Sequence, residues 1–120
     1  FTHLAWKNTE INNGGIGNVQ YPLVADINKS VSEAYDMLTG PGIALRGSFL
    51  IDKDGVVQHQ VVNNLSLGRD IDEMLRIVDA LQFTEEHGEV CPAGWQKGKA
   101  GMKGSTEGVA DYLAAHAEEL

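Results

Sequence analysis

His87-Gly88-Glu89-Val90-Cys91-Pro92-Ala93-Gly94-Trp95 carries the single cysteine of this chain and divides a regularly patterned body from a glycine- and lysine-rich tail. A lone thiol cannot close a disulfide within its own chain, so any redox role for Cys91 needs a sulfur from elsewhere. Carboxylates at Glu85, Glu86 and Glu89 oppose an anion beside them, and Gly88 breaks the helical spacing that would aim His87 at the sulfur. Cys91 thus reads as a weak first nucleophile. It suits the second thiol in an exchange, where access and proximity to an already oxidised sulfur matter more. A buried cysteine acting as a small hydrophobe is the ordinary alternative. Pro92, Gly94 and the following lysines and glycines favour an exposed segment instead.

The charge of −8 over 120 residues opposes binding to phosphate backbones and anionic lipid, so neither nucleic acid nor membrane is an expected partner. With 42% hydrophobic residues the chain has one domain's worth of core, and no apolar run is long enough to span a bilayer. One cysteine without a stapling framework fits a reducing compartment, the cytoplasm. A zinc site from His87 and Cys91 lacks two ligands, so no metal is expected. The Asp52-Lys53-Asp54-Gly55 string begins like a calcium loop, but Val56 and Val57 follow where oxygen ligands are required.

Along the chain, Phe1 to about Asn12 has loosely helical apolar spacing, with Trp6 as a contact aromatic. Asn12-Asn13-Gly14-Gly15-Ile16-Gly17-Asn18 is a loop whose spacing fits no nucleotide fingerprint. Tyr21 to Ile27 reads as a buried strand, and Ser30-Val31-Ser32-Glu33 as a capping box that starts a helix to about Leu38. Ala44 to Ile51, the Asp54-Gly55 turn and the alternation from Val56 to Val61 read as a hairpin. Gly68 to about Gln82 is the strongest helix, with Ile71, Met74, Leu75, Val78 and Leu81 as a core stripe. Lys97 to Gly104 reads as a flexible arm, and Thr106 to Leu120 as a short amphipathic helix.

The order helix, strand, helix, hairpin, helix predicts an α/β layer arrangement with a mixed sheet. It also predicts a sheet short of neighbours, to be completed by further strands. Residues 1–87 form the expected body and 88–120 an arm with a terminal helix.

The 87–95 segment resembles the resolving-cysteine segment of the typical two-cysteine peroxiredoxins. Further matches recur in that family's order: Trp6 in His3-Leu4-Ala5-Trp6, Gly14-Gly15-Ile16-Gly17, Tyr21-Pro22-Leu23, Arg46-Gly47-Ser48-Phe49-Leu50-Ile51-Asp52, and Leu67-Gly68-Arg69. Together they cover essentially the whole chain. The resemblance implies the second half of a thioredoxin-like fold. It implies a peroxidase that reduces hydrogen peroxide and alkyl hydroperoxides without a cofactor, through an upstream peroxidatic cysteine that these residues do not include. The chain is accordingly read as the C-terminal portion of a longer polypeptide, silent by itself.

By the same resemblance, Cys91 resolves the oxidised sulfur of a partner subunit as an intersubunit disulfide, later reduced by thioredoxin or a flavoprotein. The alternating segment 56–62 after the hairpin is the candidate for edge pairing in the homodimer, and the resemblance implies that dimers build a decamer ring. Arg46 stabilises thiolate and peroxide, Arg69 joins an ion-pair network, and Trp6 supports the active site. Gly14, Gly15, Ile16 and Gly17, with Tyr112 and Leu113 of the last helix, control local unfolding. Tyr112-Leu113 replaces the family's Tyr-Phe pair. The rival readings are a chaperone-like oligomeric module working without thiols and a thiol-disulfide oxidoreductase. The latter wants a close pair of cysteines that is not present.

Overall fold

Asp54-Gly55 turns the chain where the pattern places a hairpin, with Gly55 at φ 79°. In the computed structural model, which describes all 120 residues, β1 (Arg46–Ile51) pairs antiparallel with β2 (Val57–Asn63). The Asp52 carboxylate holds the turn by accepting from the backbone N–H of Val56 at 3.0 Å and of Asp54 at 2.9 Å. The Val56 bond, first, keeps its carboxyl below the usual carboxylate range. The register sets Arg46 opposite Asn63, Ser48 opposite Val61 and Leu50 opposite His59. These two strands are the whole sheet, so the outer edge of each is unpaired.

Two compact units divide the chain, Phe1–Ala44 and Leu45–Leu120. In the first, α1 (Thr2–Lys7) stops well short of Asn12 and a 3₁₀ turn covers Ile11–Asn13. The predicted strand from Tyr21 to Ile27 does not form. That stretch is irregular, and Val24 and Ile27 are exposed at 75% and 89%. Apolar composition made it look like a strand, but a strand also needs a ladder, and no partner is present here.

The capping box also fails. Ser30 is already the first residue of α2 (Ser30–Ala34), and Lys29 before it makes no side-chain cap. Asp26 does that work instead, accepting from the N–H groups of Val31 and Ser32 at 3.0 and 2.9 Å and from the Ser32 hydroxyl at 2.7 Å. The hydroxyl bond is the largest of the influences that lower its pKa. Two free helix donors outweigh a strand end for this carboxylate.

In the second unit, α3 (Ile71–His87) starts at Asp70, whose side chain accepts from Glu73 N, and ends at Gly88 in the left-handed conformation. It runs one turn beyond the expected Gln82. The expected core stripe splits in two. Met74, Val78 and Leu81 are half-buried, whereas Ile71 and Leu75 are exposed at 60% and 58%. β1 packs against this helix.

The expected flexible arm is pinned, because Val90 and Met102 exchange both backbone hydrogen bonds at 2.8 and 3.0 Å. Gly101 fits there since a Cβ would lie 2.6 Å from Phe83. Beyond it, α4 (Thr106–His116) is capped by Ser105, and a 3₁₀ turn covers Ala117–Glu119.

Candidate functional site

Three residues separate Cys91 from the end of α3, and the chain turns back along the helix it has just left. Its sulfur lies 3.8 Å from Thr84 Oγ1 and 3.7 Å from the Ala80 carbonyl, two positions one helical turn apart. The thiol is half-buried, with polar neighbours. The expected exposure of the turn holds at Ala93 and Gly94 and is corrected at Pro92 and Trp95. Pro92 is buried and Trp95, at 2% exposure, is the single buried hydrophobic side chain of the chain. The Trp95 ring packs on Phe83 with centroids 4.8 Å apart, and its Nε1 donates to the Lys99 carbonyl. His87 stacks against Phe83 rather than reaching the sulfur.

Arg76 ties the turn to the helix, and sequence reasoning missed it. Its Nη1 donates to the Trp95 carbonyl at 2.8 Å, while Nε and Nη2 fork onto the Glu73 carboxylate at 2.6 and 2.7 Å. The three-residue spacing on a helix was the available signal. The fork is the first cause that holds Glu73 below the usual carboxylate range. Its ionised form is therefore favoured in the folded state, and the fork persists at neutral pH. It is lost only as pH falls through that depressed value.

The same fork raises the Arg76 pKa, and a Cys91 thiolate adds to that shift. From β2, His59 also bears on Glu73, and its Nδ1 is buried without a hydrogen-bond partner.

The two predicted arginines meet at the other end of α3. Arg46 donates through Nε to the Leu65 carbonyl at 2.8 Å, and Arg69 reaches the carbonyl of the adjacent Gly47 at 3.4 Å. Arg69 makes no ion pair within this chain, so the expected acidic partner is not among these residues. Ala80 and Thr84 lie ten and fourteen residues beyond Asp70, about 15–20 Å along the helix. Cys91 is thus remote from Arg46 and Arg69 of its own chain.

In the first unit, Trp6 donates through Nε1 to the Gly14 carbonyl at 2.9 Å, and Ile16 N returns to the Trp6 carbonyl at 3.2 Å. The aromatic thereby braces the Gly14–Gly17 loop. A Cβ on Gly15 would fall 1.9 Å from the Thr9 carbonyl oxygen, inside any tolerable contact. Gly15→Ala is expected to displace this loop and lower stability by about 1–3 kcal/mol, measured by denaturant titration of the full-length protein. An unchanged midpoint would contradict the packing.

Tyr112 stacks on His116 with centroids 4.5 Å apart, and Leu113 is 41% exposed. No three His, Cys, Asp or Glu side chains gather where a cation could be held. No helix is long and apolar enough to cross a membrane.

Comparison with known proteins finds two family models on this chain. The AhpC/TSA family matches residues 1–60, and the C-terminal domain of 1-Cys peroxiredoxin matches residues 80–115, which include Cys91. Alkyl hydroperoxide reductase C of Helicobacter pylori strain J99 is 60% identical over 98% of this chain and 60% of its own length. The chloroplastic 2-Cys peroxiredoxin BAS1 of Hordeum vulgare is 51% identical over 96% of this chain and 55% of its own.

Among solved structures, the reduced 2-Cys peroxiredoxin of Plasmodium vivax superposes with a TM-score of 0.91 at 55% identity, covering 95% of this chain and 59% of that one. The chain therefore spans about 60% of the length of the relatives it matches.

Proposed function

The chain belongs to the AhpC/TSA family of peroxiredoxins, and from that premise we propose that it supplies the resolving half of a thiol peroxidase acting on hydrogen peroxide and alkyl hydroperoxides. An upstream peroxidatic thiol attacks the peroxide, the O–O bond breaks, and the sulfur leaves as a sulfenic acid while an alcohol or water departs. The Cys91 sulfur then attacks that sulfenic acid. A disulfide forms and water carries away the oxygen. Two electrons and two protons from thioredoxin or a flavoprotein-linked dithiol return both sulfurs to thiols. No organic cofactor or metal takes part in this sequence.

The observation that carries the reading is the separation of the two chemical groups along α3. Arg46 and Arg69 stand together at the head of β1, where fixed positive charge favours a thiolate and polarises a peroxide oxygen. Cys91 lies about 15–20 Å further along the helix. A sulfur held there serves the arginine corner of another copy more readily than its own, which favours an intersubunit disulfide. The unpaired edge of β2 is suited to pair with the same strand of a second copy, and the unpaired edge of β1 to take strands from the upstream half. Dimers of this kind would assemble further, into a decamer ring. The working compartment is one that keeps thiols reduced, such as the cytoplasm.

The 120-residue chain alone has one thiol and no second cysteine. It is expected to consume no peroxide beyond one equivalent when supplied with a thioredoxin system, whereas the full-length protein turns over. Repeated turnover by the isolated chain, followed through NADPH oxidation, would overturn the division of labour.

A further inference from the structure

The Cys91 sulfur is half-buried where it lies, with one face against α3. Its neighbours at 3.7 and 3.8 Å belong to α3. A disulfide needs a second sulfur at about 2.05 Å, with the two Cβ atoms about 3.8 Å apart. The face of the thiol that rests on the helix must therefore come free before a partner's backbone can approach. Lifting the Cys91–Trp95 turn leaves the bond from Trp95 N to the Pro92 carbonyl intact, since both ends travel with it.

The bond from Arg76 to the Trp95 carbonyl does not travel, because Arg76 is anchored to Glu73 on the same helix. A guanidinium can fork onto a carboxylate with one edge and still point a third N–H elsewhere in a fixed direction. The pair remains partly open to solvent, with side-chain exposures of 27% for Arg76 and 39% for Glu73.

Resting on the reading of Cys91 as the resolving thiol, we infer that the Glu73–Arg76 fork is a latch that holds the Cys91–Trp95 turn on α3 and sets how fast the thiol is released. The step it governs is balanced as given above: the sulfenic S–O bond breaks, Cys91 loses its proton, the S–S bond forms and water leaves. Arg76 and Glu73 are positioning residues in that step and touch neither sulfur of the new bond. A tight latch lengthens the life of the sulfenic acid and so increases its exposure to a second peroxide.

The test uses the full-length protein and three variants, Arg76→Ala, Arg76→Lys and Glu73→Gln. Release is read as the rate of iodoacetamide labelling of Cys91, resolved by peptide mass spectrometry, and as the rate of disulfide formation after one equivalent of peroxide. Loss of one charge-assisted bond that is partly screened should raise both rates about tenfold in Arg76→Ala and Glu73→Gln. Arg76→Lys, with one charged donor and no fork, should fall between them and the parent.

Salt separates a latch from a merely structural contact. At about 1 M salt, where screening acts over about 3 Å, the parent should move towards the variants while Arg76→Ala stays where it is. Labelling within twofold of the parent in Glu73→Gln, or an equal salt response in parent and Arg76→Ala, overturns the latch. Should Arg76→Ala not fold, Glu73→Gln and the parent's salt series decide the matter. A disulfide-linked dimer surviving in Cys91→Ser would instead sink the underlying assignment of the thiol, an outcome separate from any labelling result.

Discussion

Cys91→Ser in the full-length protein is expected to abolish the disulfide-linked dimer on a nonreducing gel while leaving one equivalent of peroxide reduced per subunit. The change removes one sulfur and keeps a side chain of similar size beside Thr84 and the Ala80 carbonyl, so the turn loses little packing. A serine hydroxyl can take up the weak polar contacts there, but it cannot form a disulfide. The peroxidatic sulfur would still be oxidised once, because that step needs a thiolate and a positive environment and not Cys91. Without a resolving thiol the sulfenic acid then waits for an external reductant or a second peroxide. Reductase-dependent turnover should fall to background, and mass spectrometry should find sulfinic acid accumulating upstream. A dimer band that persists in this variant would remove Cys91 from its assigned role.

Much of this arrangement was legible in the residues, and the parts that were not share a physical cause. Asp54-Gly55 and the alternation after it gave the hairpin because turn chemistry and period-two patterning are local. Likewise α3 announced itself through Asp70 at its start and a continuous apolar stripe. What the residues could not show was which side of that stripe has a neighbour. Ile71 and Leu75 have the same spacing as Met74 and Val78, yet they stay exposed at 60% and 58%. The stretch from Tyr21 to Ile27 failed for the same reason, since apolar side chains without a ladder partner do not make a strand.

The candidate site divides in a similar way. Cys91, Arg46, Arg69 and Trp6 are visible as chemistry-bearing residue types in telling positions. Arg76 carries no such signal, and Pro92 and Gly94 made the turn look exposed. Only the return of the chain along α3 brings the Trp95 carbonyl to the guanidinium and the ring to Phe83. Asp26 is a comparable case. It lies within the stretch expected as a strand, but the two free donors of α2 claim its carboxylate.

Trp95→Ala is the second large effect expected. At 2% exposure this side chain anchors the turn that carries the thiol, and truncating a buried Trp costs about 3–5 kcal/mol through lost burial and the cavity left behind. Phe83 would lose its ring partner, and the indole bond to the Lys99 carbonyl would go. The damage should be local, because β1, β2 and most of α3 do not lean on this residue, and small parts of a protein open as separate cooperative units. At about 1.4 kcal/mol per factor of ten, the opening equilibrium of the turn should rise roughly a hundred- to a thousandfold. The amides of Val90 and Met102, whose mutual bonds close the loop, report it directly by hydrogen exchange. Those of Ser48 and Val61 in the hairpin serve as the internal control. Trp95→Phe, which keeps a ring against Phe83 but no indole donor, should recover most of the protection. Exchange at Val90 and Met102 that stays within a factor of two in Trp95→Ala would mean that the Trp95 ring does not anchor the turn.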